Sequence, residues 1–81
     1  MALYYATTKE DALTKKKYGF LEKGLNFTTD KSYAKQLVKS KKDPVICEIK
    51  MITNAFRKTK AKKPIYRNIV MFLTKTEIEE L

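Results

Sequence analysis

The sequence has 81 residues with 18 Lys or Arg and 9 Asp or Glu, which gives a formal charge of +9. A chain of this length has room for one hydrophobic core, so we expect a single domain over residues 1–81. The absence of histidine and the single cysteine, Cys47, exclude an internal disulfide, triads built on histidine and the common zinc sites, and we expect no metal and no cofactor.

The first segment predicts a strand followed by a short helix. Ala2–Thr7 is rich in aromatic residues and alternates two faces, as a strand does. Thr8 supplies a capping oxygen and is followed by acids, so the helix begins there and ends before Gly19. Ala12-Leu13 begins the apolar stripe of this helix, and Lys15–Lys17 interrupts it. We interpret the lysine triplet as a solvated face.

The clearest pattern is the stretch Gly24–Val38. Leu25 and Phe27 lie two residues apart, as a half-buried strand requires. Thr28–Asp30 can cap a second helix, which is predicted from Lys31 to about Lys41 and carries one apolar stripe (Tyr33, Ala34, Leu37 and Val38). The preceding Phe20-Leu21 could pair with Leu25–Phe27 as a hairpin or pack against the end of the first helix.

The second half predicts two more strands and a last helix. Val45–Ile52 is a strand on which Cys47 is a small buried hydrophobic residue. Ile65–Leu73 has apolar residues on both faces, so it is either central in the sheet or an edge closed by a second copy of the chain. Thr74–Leu81 contains Thr74 and Glu77 at the spacing of a capping box and predicts a helix.

These elements predict an α+β fold with a small mixed, mostly antiparallel sheet of about four strands and two to three helices. The predicted order is strand, helix, strand, helix, strand, basic loop, strand, helix. The only conceivable carboxylate pair, Glu48 with Glu77, is interpreted as solvated charge, and we assign no catalytic residue.

The basic loop is the best candidate for a binding site. Thr53–Pro64 contains five cations and no acid, and it ends in a proline, so we place it on a surface loop. Cations can hold phosphates and neighbouring aromatic rings can stack on bases. The candidate residues for binding nucleic acid or an acidic partner are Arg57, Lys58, Lys60, Lys62, Lys63, Arg67, Phe56 and Tyr66.

The partner of this loop stays open at the level of sequence. Sixteen of the 18 basic residues are Lys, which is typical of solvated surfaces, whereas proteins that read bases favour Arg. Nucleic acid, an acidic protein and a merely soluble basic surface are therefore all compatible with the charge. No apolar run reaches the roughly 20 residues of a membrane span, and no signal peptide is evident, so we expect a cytoplasmic protein without membrane contact. A homodimer through the strand Ile65–Leu73 is a further expectation.

Taken in order, several segments resemble the ADP-ribosyltransferase-like fold, particularly RNA 2′-phosphotransferases and their DNA-modifying relatives. The segments are LYYATT, Gly24-Leu25, NFTTD, SYAKQLV, PVICEIKMI and IVMFLTKTEIEEL. The resemblance places Tyr5-Ala6-Thr7 at the first motif of that family and Thr28-Thr29 at its Ser/Thr corner. It places Glu77 near the third motif, which carries a catalytic Glu or an apolar substitute.

The basic loop and the resemblance together lead to two hypotheses of different functional class. Tyr5 stands where the family has His or Arg to hold an NAD-like ligand, and a neutral hydroxyl recognises a pyrophosphate weakly. The leading hypothesis is therefore a small cytosolic accessory protein that binds through the basic loop and performs no chemistry. The alternative is a degenerate or minimal ADP-ribosyltransferase-like enzyme that uses NAD.

Overall fold

The computed structural model describes the backbone of all 81 residues and every side chain except that of Thr53. The described chain forms one antiparallel sheet of six strands in the order β4-β5-β2-β1-β3-β6, with two α-helices. The elements are β1 (Ala2–Thr8), α1 (Lys9–Tyr18), β2 (Asn26–Thr28), α2 (Lys31–Leu37), β3 (Pro44–Lys50), a 3₁₀ turn (Thr53–Ala55), β4 (Phe56–Lys58), β5 (Ile65–Asn68) and β6 (Thr76–Glu80). The α+β class is confirmed, but the sheet is larger than the predicted four strands.

The two helices lie on opposite faces of the sheet. Side chains alternate between the two faces along each strand, so each helix packs on a different set of residues. Ala12 of α1 packs on Val45 and Cys47, and we call this side the α1 face. Ala34 of α2 and its C-cap residue Val38 pack on Ile46, and this side is the α2 face. Neither helix of the described chain is long and apolar enough to cross a membrane.

The main core lies on the α1 face and is aromatic. The rings of Phe20 and Phe72 stack with centroids 4.8 Å apart, and Phe56 meets Phe27 edge-on at 5.0 Å. Leu3 and Ile49 complete the same buried cluster, and Phe20 forms an isolated bridge with Phe72. Phe20 therefore pairs with a segment near the C-terminus, and not with Leu25–Phe27.

Both helices begin where the capping residues predicted. The Thr8 side chain accepts a hydrogen bond from the N–H of Asp11, and Asp30 accepts one from the N–H of Tyr33. The first helix ends at Tyr18, with Gly19 at φ 90° and ψ −177° as its C-cap. The second helix ends at Leu37, about one turn earlier than predicted.

The interpretation of the lysine triplet as a solvated face is wrong for Lys15, which is only 5% exposed. Its ammonium lies 2.8 Å from Asp11 and 3.1 Å from Glu22, and the Thr7 hydroxyl donates to Asp11 at 2.7 Å. Burial opposes the charge on Lys15, but the hydrogen bonds to the two carboxylates outweigh it and raise its pKa. Leu13, which was placed in the apolar stripe, is exposed instead.

The C-terminal prediction is also corrected, since Thr76–Glu80 is the strand β6 and no helix forms there. The strand β3 has an edge that β6 covers, and this pairing sets Ile78 opposite Cys47. Thr76 is buried while Glu77 is exposed, so the segment alternates as an edge strand does. Tertiary pairing thus overrides the capping-box pattern.

The predicted strand Ile65–Leu73 is likewise shorter, because β5 ends at Asn68. β5 pairs with β2 on one side and with β4 on the other, so it has no free edge. Residues 69–75 then cross the α1 face from β5 to β6, four strand positions away. Four positions amount to about 19 Å, which is too far for a helical segment of this length but within reach of a partly extended one.

Candidate functional site

The predicted basic loop is a hairpin at one edge of the sheet. We use the name basic hairpin for β4, β5 and the turn 59–64 that joins them. The N–H of Thr59 donates to the carbonyl of Ile65 at 2.8 Å and closes the turn. Only residues 59–64 are a loop, because Phe56–Lys58 is paired with β5. The prediction of a loop over the whole of Thr53–Pro64 is therefore wrong for β4.

The two arginines of the chain are brought together on this hairpin. Arg57 is directly opposite Arg67 in the ladder between β4 and β5, and both are exposed. They share the α2 face with Asn26, whose side-chain oxygen accepts a hydrogen bond from Nε of Arg67 at 3.0 Å. Like charges directly opposite each other destabilise a sheet, so this pair is unfavourable for the free protein.

The lysines of the hairpin extend the positive surface, and all four are exposed: Lys58, Lys60, Lys62 and Lys63. Lys63 lies over the ring of Tyr33 on α2, with its ammonium 5.5 Å from the centroid. The ion pairs among the described side chains involve other lysines, namely Lys9, Lys15 and Lys31. The 28 residues between Glu48 and Glu77 contain eight cations and no acid. Within the described chain, the six hairpin cations are therefore not neutralised by a carboxylate.

The two aromatic residues proposed to stack on bases are turned into the core. Phe56 is 7% exposed and meets the ring of Phe27 edge-on. Tyr66 is half-buried and packs against the same cluster. Strand alternation accounts for this, because Phe56 and Tyr66 point to the α1 face whereas Arg57 and Arg67 point to the α2 face. The role of Phe56 as a stacking residue is thus corrected to a core residue.

Acidic side chains gather at the opposite edge of the same face. Glu48 is directly opposite Glu77 in the ladder between β3 and β6. Glu79 forms an ion pair with Lys31 of α2, and the hydrogen bond from Lys31 holds the pKa of Glu79 below its usual range. The α2 face is therefore positive at the edge formed by β4 and negative at the edge formed by β6.

A cleft opens between β1 and β2 beside the hairpin. These strands share one residue pair, Tyr4 with Thr28, whereas β1 and β3 pair over seven residues. The strands diverge beyond that pair and leave a cavity of about 320 Å³ under α2. Its lining includes Tyr4, Asn26, Thr28, Tyr33, Lys41 and Ile65. Asn26 and Ile65 connect the cleft to the basic hairpin.

Of the residues matched to the transferase family, Tyr5, Ala6 and Thr28 line this cleft, whereas Glu77 does not. Tyr5 lines the cleft, but its ring also packs against Phe20, and the ring centroid lies 5.6 Å from the ammonium of Lys15. Burial raises the pKa of the Tyr5 hydroxyl. Thr28 lines the cleft and accepts a hydrogen bond from the N–H of Asp30. Glu77 lies on β6, two strand positions from β1, which is roughly 10 Å away.

Sequence reasoning missed two buried polar residues that support this region. Asn68 is buried, accepts a hydrogen bond from the N–H of Leu25 and donates to the carbonyl of Glu22 at 2.6 Å. It thereby fixes the end of β5. The sequence signal for Asn68 was its position between the apolar residues of IYRNIV. The signal for Lys15 was its i, i+4 spacing to Asp11, which favours an ion pair on a helix.

Comparison of the sequence with family models and with curated proteins gives no match, and comparison with solved structures gives none either.

Proposed function

We propose that this chain is a small non-catalytic binding protein that holds the phosphate backbone of nucleic acid on the basic hairpin. The observation that carries the proposal is the set of six exposed cations without a carboxylate partner among the described side chains. The opposed pair Arg57 and Arg67 is the centre of this set. An anion placed between two like charges relieves their repulsion, so binding converts an unfavourable contact into a favourable one.

The expected binding mode is contact with the backbone and not with the bases. Phosphate contacts carry no sequence information, and the aromatic rings of the hairpin belong to the core. Four of the six hairpin cations are Lys, which acts as a point charge and does not form the fork that reads a guanine edge. We therefore propose weak sequence preference, with DNA and RNA both accepted.

An acidic protein is the alternative partner for the same hairpin. The positive charge supports both partners, but the exposed residues of the hairpin are mostly lysines with little apolar area, which suits a polyanion better than a protein interface. A pull-down with and without nuclease distinguishes them, because nuclease removes a nucleic-acid partner and leaves a protein partner bound. A reducing cytoplasmic setting is part of the proposal, since the single cysteine is buried and unpaired.

The experiment is fluorescence anisotropy with a labelled single-stranded oligonucleotide of about 20 nucleotides at low salt. The test variant replaces Lys58, Lys60, Lys62 and Lys63 with Ser. The control variant makes the same change of charge at exposed lysines outside the hairpin, Lys16, Lys17, Lys39 and Lys42. We expect the hairpin variant to lose at least tenfold in affinity and the control to lose much less. Equal losses in the two variants would mean that net charge alone drives binding, and would reject the hairpin as the site.

The cleft supports a second candidate, the NAD-dependent transferase. A cavity of about 320 Å³ with Tyr4 and Tyr33 in its lining fits one mononucleotide half better than a whole dinucleotide. The position of Glu77 away from the cleft argues against retained chemistry. Thermal stabilisation by NAD at about 1 mM would support this candidate, and Tyr5→Phe should then reduce the shift. No shift at that concentration would remove it.

A further inference from the structure

Six exposed apolar side chains belong to the segment 69–75 or flank Gly19 and Phe20, which contact that segment, and we call this set the apolar ridge. Its members are Tyr18, Leu21, Ile69, Val70, Met71 and Leu73. Met71 and Leu73 are 59% and 69% exposed. Together these side chains expose on the order of 500 Å² of apolar surface, within the range of about 300–600 Å² for the largest patch on a monomer, which is often functional. The basic hairpin does not account for this surface.

The topology explains why the ridge is exposed. Residues 71–73 run as a strand around the bridge between Phe72 and Phe20, so their side chains alternate between inward and outward, whereas Ile69 and Val70 lie in a bend and are both exposed. Phe72 points inward and stacks on Phe20, which leaves its neighbours Met71 and Leu73 pointing outward. The approach is close, because a Cβ at Gly19 would lie 2.8 Å from the carbonyl oxygen of Phe72.

The same segment has a free backbone edge. Phe72 donates to the carbonyl of Phe20 at 3.1 Å and accepts from its N–H at 2.7 Å, so both of its polar groups face that segment. In an extended chain the next residues on either side direct their N–H and C=O groups to the other edge. Among the described backbone groups, the N–H groups of Met71 and Leu73 have no backbone acceptor. An exposed strand edge with apolar side chains is a template for pairing.

We propose that this edge pairs with the same edge of a second copy of the chain. An antiparallel edge can match itself about a twofold axis, and here the axis would pass near Phe72. Met71 would then be opposite Leu73 of the second copy, and each pair would exchange two backbone hydrogen bonds. Burying the ridge on both copies removes about 1,000 Å² of surface, the lower bound for a specific interface.

The free backbone edge favours a second copy over an anionic surface, because the ridge itself contains no charged residue that could bind an anion. Exposed lysines stand beside it in the sequence at Lys16, Lys17, Lys23 and Lys75, and they form a rim. In a dimer these rims approach each other and repel. Dimerisation should therefore strengthen as salt rises, whereas binding of nucleic acid by the hairpin should weaken. The two activities can be separated by this opposite dependence, and neither requires the other.

Sedimentation equilibrium of the whole chain tests the proposal. We expect a monomer–dimer equilibrium in the micromolar to millimolar range that tightens at least threefold between 50 and about 500 mM salt. Met71→Ser combined with Leu73→Ser should weaken dimerisation at least tenfold. Leu13→Ser combined with Leu37→Ser changes two exposed leucines outside the ridge and should leave it unchanged. A chain that stays monomeric at millimolar concentration, or equal effects of the two double variants, would overturn the proposal.

A crosslinking experiment tests the pairing register without relying on loss of function. Cys47 is buried, so introduced surface thiols react selectively. A Met71→Cys protein mixed with a Leu73→Cys protein should form a disulfide dimer under mild oxidation, in larger yield than either protein alone. Equal yields in the mixture and in the separate proteins would reject this register. Binding of anionic vesicles by the unmodified chain, abolished by the ridge variant and with no dimer formed, would assign the ridge to a lipid surface instead.

Discussion

The opposed arginines predict that one substitution makes the protein more stable and a weaker binder. Arg57 and Arg67 face each other on neighbouring strands, and both are exposed. Like charges in this position are destabilising by roughly 0.2–1 kcal/mol. In Arg57→Thr the repulsion is removed and a β-branched residue, which suits an edge strand, takes its place. We expect the free energy of unfolding to rise by about 0.5 kcal/mol, or about 3 °C in Tm for a chain of this size.

The same substitution should reduce the slope of log affinity against log salt by about 1, because one phosphate contact is lost. Circular dichroism at low salt measures Tm, and anisotropy with a labelled oligonucleotide measures the affinity. Lys39→Thr removes one charge at an exposed position outside the hairpin and should change neither quantity by a comparable amount. A lower Tm for Arg57→Thr, or an unchanged salt slope, would refute the reasoning that links the arginine pair to binding.

Three further outcomes follow from the packing. Gly19→Ala should destabilise the chain by roughly 1–3 kcal/mol, because Gly19 has a backbone conformation that only glycine adopts readily and an added Cβ would clash with Phe72. In Gly24→Ala the added Cβ meets no neighbour, so denaturant unfolding should show a smaller loss of stability. Lys15→Met should destabilise by about 1–3 kcal/mol at pH 7, because it leaves Asp11 without its ammonium partner. Burial opposes ionisation of Asp11, yet hydrogen bonds from Lys15 and Thr7 lower its pKa in the folded protein. The ionised Asp11 therefore stabilises the fold at a pH above about 4, the pKa of an unfolded Asp. This stabilisation is lost as the pH falls through the pKa of Asp11 in the folded protein. Cys47 is fully buried and burial raises its pKa to about 11, so its thiol should react with Ellman's reagent at pH 8 only as fast as the chain opens; rapid reaction of the native protein would contradict the packing.

Local signals predicted the elements of the first half of the chain. The caps at Thr8 and Asp30 and the stop at Gly19 are interactions between near neighbours, so the sequence displays them directly. The strand Pro44–Lys50 alternates cleanly and was recognised for the same reason. In each case the structure uses the pattern that the sequence shows.

The errors lie where distant pairing decides the structure. β6 forms because it pairs with the edge of β3, and the sequence Thr76–Glu80 contains no signal for that pairing. The crossing of residues 69–75 follows from the strand order, which requires the whole topology. The six cations of the hairpin were identified from composition, but the opposition of Arg57 and Arg67 and the burial of Phe56 depend on the pairing of β4 with β5. The cleft depends on the divergence of β1 and β2 and left no sequence signal.

The most direct test of the central claim is the salt dependence of oligonucleotide affinity for the unmodified chain and for a variant with all six hairpin cations replaced by Ser. The account predicts a slope of about −3 to −4 in log affinity against log salt, equivalent to a loss of roughly 60- to 250-fold between about 50 and 200 mM. The variant should lose most of this slope. A steep slope that persists in the variant, or an affinity of the unmodified chain that does not change with salt, would contradict the account.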